Sequence, residues 1–120
     1  HQGLVLDLPE KKAGDDVGPT ALELAAMALA GCISTIWAVV ANNSQVSYRK
    51  MIVALDAQKG DSDPTFSSVS ALVKIDSDEE QEKLERILDE TMKACPVGRL
   101  FEEPGLEIAT TIEKTSLLPA

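Results

Sequence analysis

The longest apolar tract runs from Gly18 to Asn43 (GPTALELAAMALAGCISTIWAVVANN), and no charged side chain occurs from Leu24 to Tyr48. Its apolar residues recur at helical spacing. Leu22, Ala26, Leu29, Ile33, Ile36 and Val40 make one stripe; Ala21, Ala25, Ala28, Cys32, Thr35 and Val39 make a second, of smaller residues. Leu24, Met27, Gly31 and Ala38 leave little polar surface on what remains. A helix apolar nearly all round must be covered nearly all round. In a small domain that cover is a sheet wrapped about the helix, or a partner subunit. Pro19 suits the first helical turn, where its missing N–H loses no bond, and Asn42–Asn43 suit a stop. A membrane span is the rival reading of such a stretch. The many Ala, Gly, Ser and Thr residues and the lack of basic flanks favour a buried core helix.

On either side the pattern shifts to period two. Leu4, Leu6 and Leu8 alternate with Val5 and Asp7, predicting a short strand that Pro9 ends, and Glu10–Val17 follows as a polar loop. Tyr48–Gln58 alternates with Met51, Val53, Leu55 and Ala57 inward. Lys59–Pro64 is dense in turn formers. Phe66–Ile75 returns with Val69, Ala71, Val73 and Ile75 on one face, its start weakened by Ser67, Ser68 and Ser70. Ser77–Lys93 reads as an amphipathic helix. Ser77 and Glu80 fit a capping box, and Asp78, Glu79, Glu80 and Glu82 crowd the positive end of its dipole. Leu84, Leu88, Thr91 and Cys95 form its apolar stripe, with Ile87 beside it, and the charged side is a solvated face. Pro96 breaks this helix and opens a short one through Phe101, closed by Pro104–Gly105. Leu106–Glu113 predicts a last strand and Lys114–Ala120 a frayed tail. The order β-α-β-β-α-(short α)-β is an α+β plan with antiparallel hairpins.

Composition narrows the function. At 120 residues the chain is one domain. A net charge of −9 argues against nucleic acid, whose phosphates call for a basic face, and an aromatic content of 3% denies base-stacking platforms. The sequence opens on no basic stretch followed by an apolar one, so no secretory signal is visible and no membrane partner is expected. Two cysteines do not make a secreted disulfide scaffold. Cytoplasmic residence is the expectation, and there paired thiols are more often reactive than structural. The one histidine, His1, has no ligand-pair spacing to the cysteines, so no metal site is expected.

The chemistry therefore rests on Cys32 and Cys95. Cys32 lies mid-helix, where the dipole helps little. Cys95 starts the Pro96 helix, where free N–H groups favour a thiolate, and Arg99 falls one turn on as a local cation. On this reading Cys95 is the more easily ionised thiol. The bland alternative for each is a small buried hydrophobe.

The segments around these cysteines resemble a known family. GPTALELAAMALAGC is similar to the helix motif of OsmC/Ohr proteins, roughly G-P-x-P-x-E-L-L-L-A-A-L-G-x-C, and CPVGRLF to their second motif. HQGLVLDLPEKKAGDDVGP resembles the strand and loop that precede the first. The resemblance implies an OsmC/Ohr-like α+β domain over residues 1–120, its antiparallel sheet wrapped around the central helix in an intertwined homodimer. It implies a thiol peroxidase acting on small organic hydroperoxides. Cys32 matches the peroxidatic cysteine, oxidised to a sulfenic acid, and Cys95 the resolving cysteine, which closes a disulfide that a dithiol reductant reopens. No cofactor is implied. Ala28, Ile33 and Ile36 are expected to line an apolar substrate pocket beside Cys32.

The sequence departs from the family pattern at two places. No arginine precedes Arg49, whereas the pattern supplies one from a leading hairpin, which this sequence is expected to lack. The carboxylate that pattern sets ten residues before the cysteine would be Leu22; here the acid is Glu23, half a turn round the helix from its own Cys32. Glu23 could then support a thiol only across a dimer. Three functions stay open: a thiol peroxidase, a non-catalytic dimeric module with an apolar pocket at the subunit interface, and a structural dimer with cysteine core fillers.

Overall fold

A computed structural model of the protein describes residues 2–103 and 105–116. The elements are α1 (Ala21–Asn43), β1 (Lys50–Gln58), β2 (Ser68–Asp76), α2 (Gln81–Ala94) and α3 (Pro96–Glu102), with a 3₁₀ turn at Glu10–Lys12. The α+β plan and the antiparallel hairpin of the sequence reading are present. His1, Pro104 and the last residues of the expected tail, 117–120, lie outside the described residues.

α1 starts two residues beyond the expected proline. Thr20 is its N-cap: the Thr20 hydroxyl accepts from the Glu23 N–H at 3.1 Å, and the Glu23 carboxylate accepts from the Thr20 N–H at 3.0 Å. This is a capping box, with Pro19 just outside it, and two free donors of the first turn are answered reciprocally. The box expected at Ser77 and Glu80 does not form. The Ser77 hydroxyl instead donates to the Ser47 carbonyl at 2.7 Å and accepts from the Glu79 N–H at 3.0 Å, tying the loop after α1 to the loop after β2. α2 begins later, with Glu80 as an N-cap that makes no side-chain bond.

The hairpin has an unbroken antiparallel register, with Met51 opposite Ile75, Val53 opposite Val73 and Leu55 opposite Ala71. β1 alternates along its whole length between half-buried and exposed positions, as its period-two pattern predicts. β2 does so only in its second half; Ser68–Leu72 is exposed on both faces. Arg49 locks the far end of the hairpin, donating to Asp76 at 2.7 and 3.1 Å and to Asp78 at 3.0 Å. Those two carboxylates hold the guanidinium proton more firmly than usual.

The core lies between the hairpin, α1 and α2 and has two parts. Trp37, Ala41, Val46 and Ile87 form one, with Tyr48 set edge-on to Trp37 at 5.1 Å between ring centroids. Leu29, Ile33 and Cys95 form the other. Of the expected α2 stripe, Thr91 and Cys95 are buried while Leu84 and Leu88 pack half-buried; Ile87 is buried beside them. The Thr91 hydroxyl is satisfied by the Ile87 carbonyl at 2.7 Å.

Two expected strands are not strands in this chain. Leu4–Leu8 is an irregular segment folded onto its own loop. The Asp7 N–H donates to the Pro19 carbonyl, and the Asp7 carboxylate accepts from the Leu8, Asp15 and Val17 N–H groups. Those bonds hold its carboxyl below the ordinary range. Residues 105–116 also lack regular structure, with Leu106, Ile108 and Ile112 exposed. Period two marks a strand only where a neighbouring edge offers its N–H and C=O groups, and among the described residues only β1 and β2 pair.

Candidate active site

α1 carries Cys32 at its middle, on the side facing the junction of α2 and α3. Cys95 is that junction. Its N–H ends α2 on the Thr91 carbonyl at 2.8 Å, while its side chain caps α3 by accepting the Gly98 N–H at 3.2 Å. Pro96 follows at the first helical position, where a missing N–H costs nothing. The turn therefore fixes the Cys95 sulfur against α1. It lies 2.9 Å from the Cys32 sulfur, sixty-three residues apart in sequence, and both cysteines are free thiols. Cys95 is wholly buried among Leu29, Ile33, Leu88 and Met92, whereas Cys32 is half-buried.

Burial is the largest influence on Cys95 and pushes its thiol up. The hydrogen bond with Cys32 pushes the same way, and the Gly98 N–H opposes both only in part. The expectation that Cys95 ionises readily is therefore corrected. An N–H at a helix start favours a thiolate, but loss of water around the sulfur outweighs it here.

Arg99 does not serve Cys95 either. Its Nε donates to the Lys93 carbonyl at 3.2 Å and its Nη1 to Glu103 at 2.9 Å, leaving the guanidinium more than half exposed. Glu103, one turn further on, offers a charge-assisted bond that a buried sulfur cannot match. Glu23 is held in the α1 cap, where the Thr20 N–H and then the Thr20 hydroxyl lower its pKa. It stands nine residues before Cys32, about 14 Å along the helix axis. Among the described residues no basic side chain donates to either sulfur, and no group of three or more His, Cys, Asp or Glu is placed to hold a metal ion.

An open cavity of about 780 Å³ lies between the first half of α1, the hairpin tip and α3; neither cysteine lines it, and it is separated from the thiol pair by the side chains that pack around Cys95. Leu29, Ile33 and Met92 serve both the cavity and the packing around Cys95. Leu22 and Ala25 extend its α1 wall; Ala28 and Ile36, expected there, do not line it because they lie on other faces of the helix. Across the mouth Phe66 and Phe101 stack with ring centroids 6.3 Å apart, joining hairpin to α3. Sequence reasoning missed this pair. The usable signal was that the chain has only two phenylalanines, each beside a turn or a motif.

The same arrangement of elements occurs in solved structures. An osmotic stress induced and detoxification response protein from Psychrobacter arcticus superposes with a TM-score of 0.69 at 20% identity, over 81% of this chain and 70% of that one. An organic hydroperoxide resistance protein OsmC from Legionella pneumophila gives 0.66 at 19% identity, over 82% and 73%. An OsmC-like protein from Mycoplasma pneumoniae gives 0.69 at 15%, over 79% and 68%. At such identities the likeness is one of fold. No curated protein matches by sequence. The family model described as OsmC-like protein matches residues 13–111, both cysteine motifs included, and the chain belongs to that family.

Proposed function

We propose that the protein is a cysteine-based peroxidase that reduces small organic hydroperoxides, working as a homodimer. The observation that carries the proposal is the 2.9 Å contact between two free thiols, which share Leu29, Ile33 and Met92 as neighbours with an apolar cavity. Closing to the roughly 2.05 Å of a disulfide takes under about 1 Å of further approach. Names among the structural neighbours, including organic hydroperoxide resistance protein, agree with it.

Cys32 is the attacking thiol. It is the less buried of the two and sits on the helix that walls the cavity. As a thiolate it attacks the peroxide oxygen, becomes a sulfenic acid and releases the alcohol; Cys95 then displaces hydroxide to form the disulfide. A dithiol reductant returns both thiols. No metal or organic cofactor takes part in these steps. The cavity wall suits an uncharged, apolar substituent on the hydroperoxide. The test separates the thiols: treat Cys32→Ser and Cys95→Ser with cumene hydroperoxide and trap sulfenic acid with dimedone. Adduct at Cys32 in Cys95→Ser, with none at Cys95 in Cys32→Ser, is the expected result. No adduct in either variant would sink the peroxidase reading.

The absence of a basic side chain at either sulfur, among the described residues, favours a second reading. That is a non-catalytic module whose cavity binds an apolar ligand. It predicts saturable binding of an apolar fluorophore with no loss of thiols on peroxide treatment.

A further inference from the structure

We propose that Glu102 is the charge selector of the open cavity: it admits apolar molecules whose polar end is neutral or cationic and turns away those that carry a carboxylate. The inference rests on the reading above that this cavity receives the substrate, and it narrows which organic hydroperoxides those are. Of the side chains that line the cavity, Glu102 alone is charged. It is the last residue of α3, exposed to solvent, and its carboxylate makes no ion pair among the described residues. The cations close to it in sequence are not turned to it. Arg99 donates to Glu103 at 2.9 Å and to the Lys93 carbonyl at 3.2 Å. Lys93 and Arg99 border a separate groove of about 410 Å³, which Glu102 also borders, and neither pairs with its carboxylate. With no cation to neutralise it, that carboxylate acts on whatever occupies the cavity.

The other polar groups of the cavity wall carry no charge. Thr65, Ser67 and Ser68 stand at the hairpin tip. The Ser67 hydroxyl donates to the Gln58 carbonyl at 3.2 Å, whereas those of Thr65 and Ser68 make no hydrogen bond among the described residues. A hydroxyl both donates and accepts, so these groups serve an alcohol, a hydroperoxide, an ammonium or a carboxylate alike and set no preference of sign. The α1 wall and the two phenylalanines take an apolar body and are equally indifferent to charge. Selection by sign is left to Glu102. Its surroundings push the same way: the chain carries a net charge of −9, and the end of α3 where Glu102 stands is the negative end of that helix. Discrimination of this kind comes from a repulsive element set against the wrong ligand, not from extra contacts with the right one. At a partly hydrated site, two like charges several ångströms apart weaken binding by about three- to tenfold.

The test uses three molecules with the same alkyl chain: octanol, octylammonium and octanoate. Each is titrated at neutral pH against Nile red, a neutral apolar fluorophore, bound to the reduced parent protein, to Glu102→Gln and to Glu102→Lys. On the parent protein octanoate is expected to displace the dye about three- to tenfold less well than octanol, and octylammonium at least as well as octanol. In Glu102→Gln octanoate and octanol should converge, and in Glu102→Lys the order of the two ions should invert. Equal displacement by all three on the parent protein would overturn the proposal. So would a Glu102→Gln variant that keeps the parent's order, or a parent protein that binds no Nile red. A second measurement separates this inference from the peroxidase reading: KM for a fatty-acid hydroperoxide and for its methyl ester. The ester should have the lower KM in the parent protein, and the difference should vanish in Glu102→Gln. A parent protein that shows the charge order in dye displacement yet consumes neither hydroperoxide would overturn the peroxidase reading and leave Glu102 as the cavity's selector. One that consumes both with equal KM would overturn the selector and leave the peroxidase reading standing.

Discussion

At the scale of single residues, position along a helix says less about a side chain than what surrounds it. Cys95 stands at a helix start, a placement that reads as acidifying in sequence, yet its burial reverses the direction. Burial depends on where α1 runs, which no local pattern around Cys95 discloses. That the two cysteines share a core was legible, because both fall on apolar stripes; their contact was implied only by the resemblance to a family. Polar residues were legible where their partner is local. T-x-x-E ahead of an apolar run is a capping signature, and Thr20–Glu23 forms one, whereas Ser77 was drawn off by the distant Ser47 carbonyl. Replacing Thr20 by Ala is expected to cost about 1 kcal/mol of stability by thermal or urea unfolding. Glu23 and Asp7 also set an acid limb. Both have folded pKa values depressed by N–H donors, so their stabilisation is complete above the ordinary carboxylate range and fades as pH falls through the folded values. Glu23→Gln should therefore lower stability at neutral pH and converge on the parent protein at low pH, flattening that limb of the stability–pH curve in urea titrations.

At the scale of elements, period and length identified the helices and the hairpin, and missed which rows of α1 are buried. The buried row is Leu29, Ile33, Trp37 and Ala41, a strict step of four. Trp37 was assigned to no stripe, because stripes drawn at the average helical period drift away from a row of four. Rows of four incline to the helix axis, and they meet a packed neighbour where two helices cross. Ile87 of α2 is that neighbour, and with Trp37 it joins the two helices in one cluster. Ile87→Ala is therefore expected to destabilise by roughly 2–4 kcal/mol, and Ile87→Val by about 1 kcal/mol, in denaturant titrations. The flanking segments Leu4–Leu8 and Leu106–Glu113 carry strand patterns without strands, because neither is paired to an edge of the hairpin. Phe66 and Phe101 join two elements whose contact no sequence separation suggests. If they wall a substrate cavity, Phe101→Ala should raise KM for cumene hydroperoxide several-fold and leave that for the small tert-butyl hydroperoxide nearly unchanged.

At the scale of the whole molecule, the single chain does not close on itself. Its radius of gyration is 18.5 Å, against about 14 Å for a compact chain of this length, and its longest extent is 59 Å. α1 is long and apolar enough to cross a membrane, yet one side is packed on hairpin and helices while Met27 and Val39 each stand 55% exposed on others. Ile52 and Leu72 face outward from the hairpin, and both sheet edges lack a neighbour among the described strands. A second copy of the chain would cover the open rows of α1 and give the flanking segments an edge to pair with. Such an interface should be apolar and exceed roughly 2,000 Å² in total. Met27→Glu separates this from a monomer. On an isolated chain Met27 is a surface position, where a charge changes stability within about 0.5 kcal/mol. In a dimer that buries this row, each copy would bring an unpaired carboxylate into an apolar interface, at a cost of several kcal/mol. Sedimentation velocity at micromolar concentration is expected to show the parent protein as a dimer, and Met27→Glu as a monomer or an unfolded chain. A parent protein that sediments as a single monomeric species, with a Met27→Glu variant of unchanged melting temperature, would remove the dimer and leave the exposed rows of α1 without a second copy to cover them.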